Sequence, residues 1–273
     1  MKNLLVVALS ALVVSSCSFF GLSIVRGNGV PVETVIDVEE FSSVSLPSMV
    51  DVDYTLSSGE RSLVFTCDEN LLEYYNIRVE DGVLVAGVEP GVMLSTRVKT
   101  VLVVKAPVLE GVKVSGSGDC EVHGAVAADG GFFAKSSGSG DVSVSGPVSC
   151  AEFSAVTTGS GDVSVGSVSC GSSALVRSSG SGDIEVDGLV ASSAEIRTSG
   201  SGDIEVDGLT AETITAHSSG SGDIDLECRD AGVIDASTTG SGDIYVSGTA
   251  RGINSRRSGS GNVYSGKLQL SGK

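Results

Sequence analysis

The chain has 273 residues, with 37 Gly, no Trp and only 4% aromatics, a composition that suits thin stacked strands joined by many turns and allows one or two domains. Its 34 acidic residues against 17 basic ones give a formal charge of -17. Nucleic acid and anionic lipid surfaces repel such a chain, so neither is expected as a partner through charge.

In chain order, Lys2 gives a short positive start, and Leu4 to Val14 is an apolar run of signal-peptide length, too short to span a bilayer. Val14-Ser15-Ser16-Cys17 is similar to a bacterial lipobox. That resemblance implies a signal peptide of residues 1–16, cleavage before Cys17 and acylation of Cys17. The mature protein is then anchored to a membrane rather than spanning it. Ser18, not Asp, follows the cysteine, which among Gram-negative lipoproteins implies the outer membrane. Residues 17–29 read as a tether.

Residues 30–114 are rich in strand signals without a repeat. Val35 to Val38, Val50 to Tyr54, Leu63 to Phe65, Ile77 to Val79 and Val83 to Val85 alternate or cluster as β-strands. Gly59, Gly82, Gly91 and Pro107 punctuate them. Val101 to Val104 reads as a fully buried strand, and Asp68 to Tyr75 as one helical turn. No linker separates residues 30–114 from residues 115–273, so the first part is expected to continue the same β-stack and cap it.

Residues 115–273 are a ladder. Gly-Ser-Gly-Asp occurs seven times, closing at Asp119, Asp141, Asp162, Asp183, Asp203, Asp223 and Asp243, and an eighth copy closes at Asn262. The spacings are 22, 21, 21, 20, 20, 20 and 19 residues. A near-constant period of this size marks a solenoid. Apolar residues alternate after each Asp, as in Ile184-Glu185-Val186 and Ile204-Glu205-Val206, so one face of that strand points inward. A second strand precedes each Gly-Ser-Gly. Phe132, Phe153, Ala174, Ala194, Ile214, Ile234 and Ile253 form one of its inward columns, and Ala134, Ala155, Val176, Ile196, Ala216 and Ala236 the next. A short third strand is expected near Leu189-Val190 and Leu209-Thr210, and Leu268 to Leu270 as part of a C-terminal cap. The expected fold is all-β: a right-handed parallel β-helix, a pectin-lyase-like solenoid of about eight coils of about 20 residues. The hand follows from the general preference of parallel crossovers.

The glycines suit a corner that needs positive φ or close backbone approach. Neighbouring carboxylates in the Asp column repel by about 1 kcal/mol even in water, so each Asp is expected to accept N–H groups of its corner as an Asx-type turn. A sharper alternative is calcium. Asp183, Glu185, Asp187, Asp203, Glu205, Asp207, Asp223, Asp225 and Glu227 are the candidate oxygen ligands, since hard cations take several carboxylates. Lys135, Arg177, Arg197, His217 and Arg256 share an outward position on the second strand and are expected to pair modestly with acids such as Glu195 and Asp235 on neighbouring coils; an anion-binding stripe is the alternative.

Besides Cys17, five cysteines remain: Cys67, Cys120, Cys150, Cys170 and Cys228. The odd count argues against a complete disulfide framework. Cys120 occupies an inward position, and Cys150 and Cys170 lie one period apart, as a thiol ladder or a disulfide. His123 and His217 belong to no dyad, and the Ser residues of the ladder have no distinctive base, so no nucleophile stands out. Acidic pairs of the kind a polysaccharide lyase or hydrolase needs occur between any two coils and so discriminate poorly. Tyr245 and Tyr264 share an outward column one coil apart and are the candidate ligand platform. Tyr74 and Tyr75 are a second pair, either platform or core.

With these residues in view, the chain resembles the bacterial auto-transporter adhesin, head GIN domain family, formerly a domain of unknown function. The resemblance rests on the lipobox, Phe41-Ser42-Ser43-Val44, Val50-Asp51-Val52, Asp68-Glu69-Asn70-Leu71-Leu72, and the ladder ending Gly259-Ser260-Gly261-Asn262-Val263-Tyr264. It covers roughly residues 33–270. It implies a pectin-lyase-like β-helix without the catalytic residues of that class, and an adhesive role toward a glycan or protein surface. Expected function is therefore a non-enzymatic, lipid-anchored envelope protein. The alternatives are a β-helical polysaccharide lyase or hydrolase and a calcium-binding scaffold.

Overall fold

The computed structural model describes residues 23–59 and 61–271; Cys17 and the signal segment lie outside the described residues. The fold is nearly all β, a parallel β-helix of about eight coils. The strand after each Asp and the strand before each Gly-Ser-Gly stack on their equivalents in the next coil. Ile184 lies against Ile204, Ile204 against Ile224, and Ile224 against Ile244. On the second strand Ala194, Ile214, Ile234 and Ile253 form one column. The expected third strand exists as Val126–Ala127 and Val148–Cys150. From Ile184 onward the three strands of a coil run on as single bent strands, such as Ile184–Thr198 and Ile204–Ser218.

Residues 43–106 add rungs to this stack out of chain order. Asp51–Leu56 lies between Val101–Ala106 below and Cys120–His123 above. Likewise Ser43–Leu46 lies between Val83–Val88 and Gly111–Val114. The chain thus builds its second rung first, loops out, returns to lay the rung beneath it, and then climbs. Val101–Ala106 buries Leu102, Val104 and Ala106 but leaves Val101 and Val103 half-buried. The expectation of burial on both faces fails because only one face of this strand meets the solenoid core.

The lower end is closed by antiparallel pairing. Ser62–Asp68 covers the free edge of Val101–Ala106 and carries Pro31–Val35 on its far side, while Tyr75–Glu80 covers Val83–Val88. Antiparallel closure consumes edge hydrogen bonds that would otherwise template a foreign strand. The expected helical turn is a 3-10 turn, Glu69–Tyr74. Tyr75 packs edge-on to Phe65 with ring centroids 4.9 Å apart, so it belongs to the core rather than to a platform.

The upper end is different. Val263–Leu270 pairs with Ile244–Arg257 and, among the described residues, with nothing beyond it. Leu268 is half-buried and Leu270 exposed, so the expected cap is the last rung itself rather than a segment folded over it. The inward columns change there: Ala236 is followed by Ser255 and Thr238 by Arg257. Polar residues in core positions let water cover the end of a stack that no further coil buries.

Candidate functional site

The Asp column serves the backbone. The N–H of Asp203 donates to Oδ1 of Asp183 at 2.8 Å, that of Asp223 to Asp203 at 2.7 Å, and that of Asp243 to Asp223 at 2.7 Å. The same link runs from Asp51 through Asp119, Asp141 and Asp162 up to Asn262. Each carboxylate therefore receives a corner N–H as expected, but from the coil above rather than from its own turn. Asp51 opens the ladder although Ser48-Met49-Val50-Asp51 lacks the glycine pattern. Arg257 closes it by donating to Oδ1 of Asn262 at 2.5 Å.

The glycines are required by proximity. A Cβ on Gly240 would stand 2.0 Å from the carbonyl oxygen of Gly220. That carbonyl accepts N–H groups of both Ser241 and Gly242, which draws the corners together. Positive φ occurs elsewhere in the coils, at Gly124, Gly208 and Gly248, and not in the Gly-Ser-Gly corners. A third polar column escaped the pattern of repeats. Ser136, Thr157, Ser178, Thr198, Ser218 and Thr238 are buried, and each hydroxyl donates to the carbonyl of the glycine four residues on, as Thr238 does to Gly242 at 2.8 Å. Among the described residues no buried side-chain polar atom lacks a partner.

Outside the corners, one outward column reads Asp53, Glu121, Ser143, Ser164, Glu185, Glu205, Asp225, Tyr245, Tyr264. Asp187, Asp207 and Glu227 follow two residues later on the same strands. The acids feel one another. Partial burial, and then the charges of Asp207, Asp225 and Glu185, raise the pKa of Glu205. Burial and Asp207 raise that of Asp225, against the pull of Lys267. The nine candidate calcium ligands thus divide into corner acceptors and a line along the rod. Among the described residues no three His, Cys, Asp or Glu side chains converge as a metal cage.

Tyr245 and Tyr264 meet as the shared column requires. Their rings stack 5.1 Å apart at 14°, and both remain exposed. The Tyr245 hydroxyl donates to Oδ2 of Asp243 at 3.2 Å. Two clefts meet at Tyr264. One of about 420 Å³ is lined by Asp225, Tyr245, Ser247 and Lys267; the other, of about 330 Å³, by Ser255, Arg256, Arg257 and Asn262.

The basic column is in register as expected: Lys135, then Val156, Arg177, Arg197, His217, Ser237 and Arg256. Its pairing differs from the cross-coil expectation. Arg197 Nε contacts Glu195 of its own strand at 2.5 Å, and Asp235 accepts from Asn254 at 2.8 Å. His123 lies at the surface near Asp53 and Glu121, and His217 meets Ser237. Cys67, Cys120, Cys150, Cys170 and Cys228 are free thiols. Cys150 and Cys170 lie in register on adjacent strands, and burial pushes Cys150 and Cys228 each up to about 11. Asp68, read only as the start of a helical turn, is fully buried, and it binds the N–H groups of Gly29, Arg97 and Val98 at 2.7, 2.9 and 3.0 Å.

The repeated polar residues are thus spent on the solenoid's own corners, while the variable side chains face outward along the rod. The chain belongs to the family described as putative auto-transporter adhesin, head GIN domain, whose profile matches residues 40–229 and 194–271. Three solved structures share the fold. A putative lipid binding protein from Parabacteroides distasonis is 24% identical, with a TM-score of 0.79 over 89% of this chain and 99% of that one. A putative adhesin from the same species is 23% identical, with a TM-score of 0.79 over 89% and 99%. A putative adhesin from Parabacteroides merdae is 22% identical, with a TM-score of 0.79 over 88% and 98%. No curated protein matches the chain.

Proposed function

We propose that this protein is a non-enzymatic lipoprotein of the cell envelope, held through acylated Cys17 at the outer membrane of a Gram-negative bacterium, whose acidic β-helix presents a surface for adhesion to a glycan or protein ligand. The observation that carries the reading is the outward column that ends in the stacked, exposed pair Tyr245 and Tyr264. Aromatic faces of this kind offer a platform with little conformational entropy to lose. The orientation supports it. Ser23–Arg26, within the segment expected as a tether, is a strand that pairs with Val92–Ser95 at the lower end, while the tyrosines sit on the last rungs of the opposite end. Ten strands stack in the post-Asp column, which separates the two ends by about 43 Å at about 4.8 Å per strand. Family membership supports the adhesive role.

The test is a glycan and protein array probed with the full chain in detergent, wild type against Tyr245→Ala/Tyr264→Ala. Retention by the wild type and loss in the double variant is the expected result; equal retention removes the tyrosine platform from the account. The calcium scaffold is the second reading, favoured by the crowding of acids around Glu205 and Asp225, which a divalent cation would relieve. A thermal shift at millimolar calcium would carry it.

A further inference from the structure

Charge is divided sharply along the chain. All 34 acidic residues lie in residues 1–243, with twelve of the 17 basic ones, so that part sums to -22. Residues 244–273 hold five basic residues and no acid, +5. Arg251 pairs with Glu212 on a lower rung. Arg256, Arg257 and Lys267 have no carboxylate within ion-pair distance among the described residues. Exposed guanidinium groups at the end of an otherwise acidic rod attract anions.

Geometry narrows the kind of anion. Tyr245 covers one face of Tyr264, and Tyr245 is on the rung below. The other face of Tyr264 therefore looks along the rod axis, past the last described rung. Arg257 is already oriented by its bond to Asn262, so it loses less freedom when a ligand arrives. The cleft that these residues line holds about 330 Å³, the scale of a small-ligand site. Flat apolar surface beside an oriented cation suits a sugar ring carrying a negative group. A tail-to-tail contact between two copies would bring two cationic ends together and is disfavoured for that reason.

We propose that the cleft lined by Arg256, Arg257 and Tyr264 binds an acidic sugar, the ring lying on the free face of Tyr264 and the anionic group on the guanidinium of Arg257. This deepens the adhesion reading and rests on it.

The experiment uses the full chain in detergent and two soluble probes of matched length: polygalacturonate and its methyl-esterified, uncharged form. The wild type is expected to bind the acidic polymer, less tightly as salt rises, and the ester at least about tenfold more weakly, as loss of charged hydrogen bonds implies. R256Q/R257Q is expected to lose about tenfold or more toward the acidic polymer alone. R177Q/R197Q, which removes the same charge from mid-rod, is expected to retain binding. Both pairs are exposed, and unchanged thermal unfolding verifies folding; K267E, on the adjoining cleft, gives a second reduction if R256Q/R257Q fails to fold. Equal binding of acid and ester, or equal losses in the two arginine pairs, overturns the proposal while leaving adhesion standing. Binding of neutral glycans alone does the same. No binding to any glycan or protein overturns both. Salt-sensitive self-association without polymer binding replaces the sugar with a second copy's acidic face and overturns the proposal.

Discussion

Oδ1 of Asp223 accepts the backbone N–H of Asp243, in the next coil, at 2.7 Å. The carboxylate column is therefore a set of inter-coil hydrogen bonds, each supplying a charged acceptor where a strand begins. Asp223→Ala should cost about 1–2 kcal/mol by removing one charge-assisted bond at a partly exposed site. Asp223→Asn keeps an oxygen acceptor and should cost less. Chemical denaturation of the three proteins checks the order, and an alanine variant as stable as the wild type would show the ladder to be energetically idle.

Close approach governs the glycines. Gly240→Ala places a methyl 2.0 Å from the Gly220 carbonyl, whereas Gly252 has nothing within 4 Å of its Cβ direction. The first change should destabilise by more than about 2 kcal/mol, as overpacking against backbone does, and Gly252→Ala by less than about 0.5 kcal/mol. Thermal unfolding of the two variants separates proximity from any general need for glycine.

The buried hydroxyls make a third prediction. Thr238→Val keeps the shape and leaves the Gly242 carbonyl without the Thr238 hydroxyl, its donor at 2.8 Å. Denaturation should report a loss of about 1–3 kcal/mol.

Two groups of acids act on stability in opposite directions with pH. Burial of Asp68 works to raise its pKa, but the N–H groups of Arg97, Val98 and Gly29 outweigh burial and hold it below its ordinary value of 3.8. Its stabilisation is complete above the unfolded value and is lost as pH falls through the lower folded one. Glu205 and Asp225 are raised by burial and then by neighbouring acids, Asp207 first for both. Their repulsion opposes folding at neutral pH and is relieved as pH falls through their folded values. Melting temperature should hold or rise slightly from neutral pH toward about 5, then fall below about 4. Glu205→Gln should remove part of the rise, and Asp68→Asn should lower stability at neutral pH and flatten the acid fall. An acid fall unchanged in Asp68→Asn would contradict the assignment.

Period and alternation made the solenoid legible, because Ile184, Ile204, Ile224 and Ile244 repeat the same inward choice at each coil. The tyrosine stack was legible for the same reason: one shared column puts Tyr245 beside Tyr264. What the repeat does not mark is not legible in the sequence. Asp51 performs the Asp119 task on a rung whose corner lacks glycine. Asp68 is buried by segments distant in sequence, Gly29 and Arg97, which no local pattern couples to it. The insertion of Asp51–Leu56 between two later strands is a long-range pairing choice, invisible to periodicity. Two further signals lie in the sequence: the Ser or Thr two residues ahead of six of the eight corners, which is Val114 in the first copy and Arg257 in the last, and the absence of acids after Asp243.

The central claim is that the outward face binds and does not turn over its ligand. The direct measurement incubates the full chain with a panel of uronate and glucan polymers and follows retention and new chain ends in the same samples. The account predicts reversible retention with no new chain ends. Polymer cleavage abolished by a single carboxylate substitution, at Glu205 or any other acid, would contradict it.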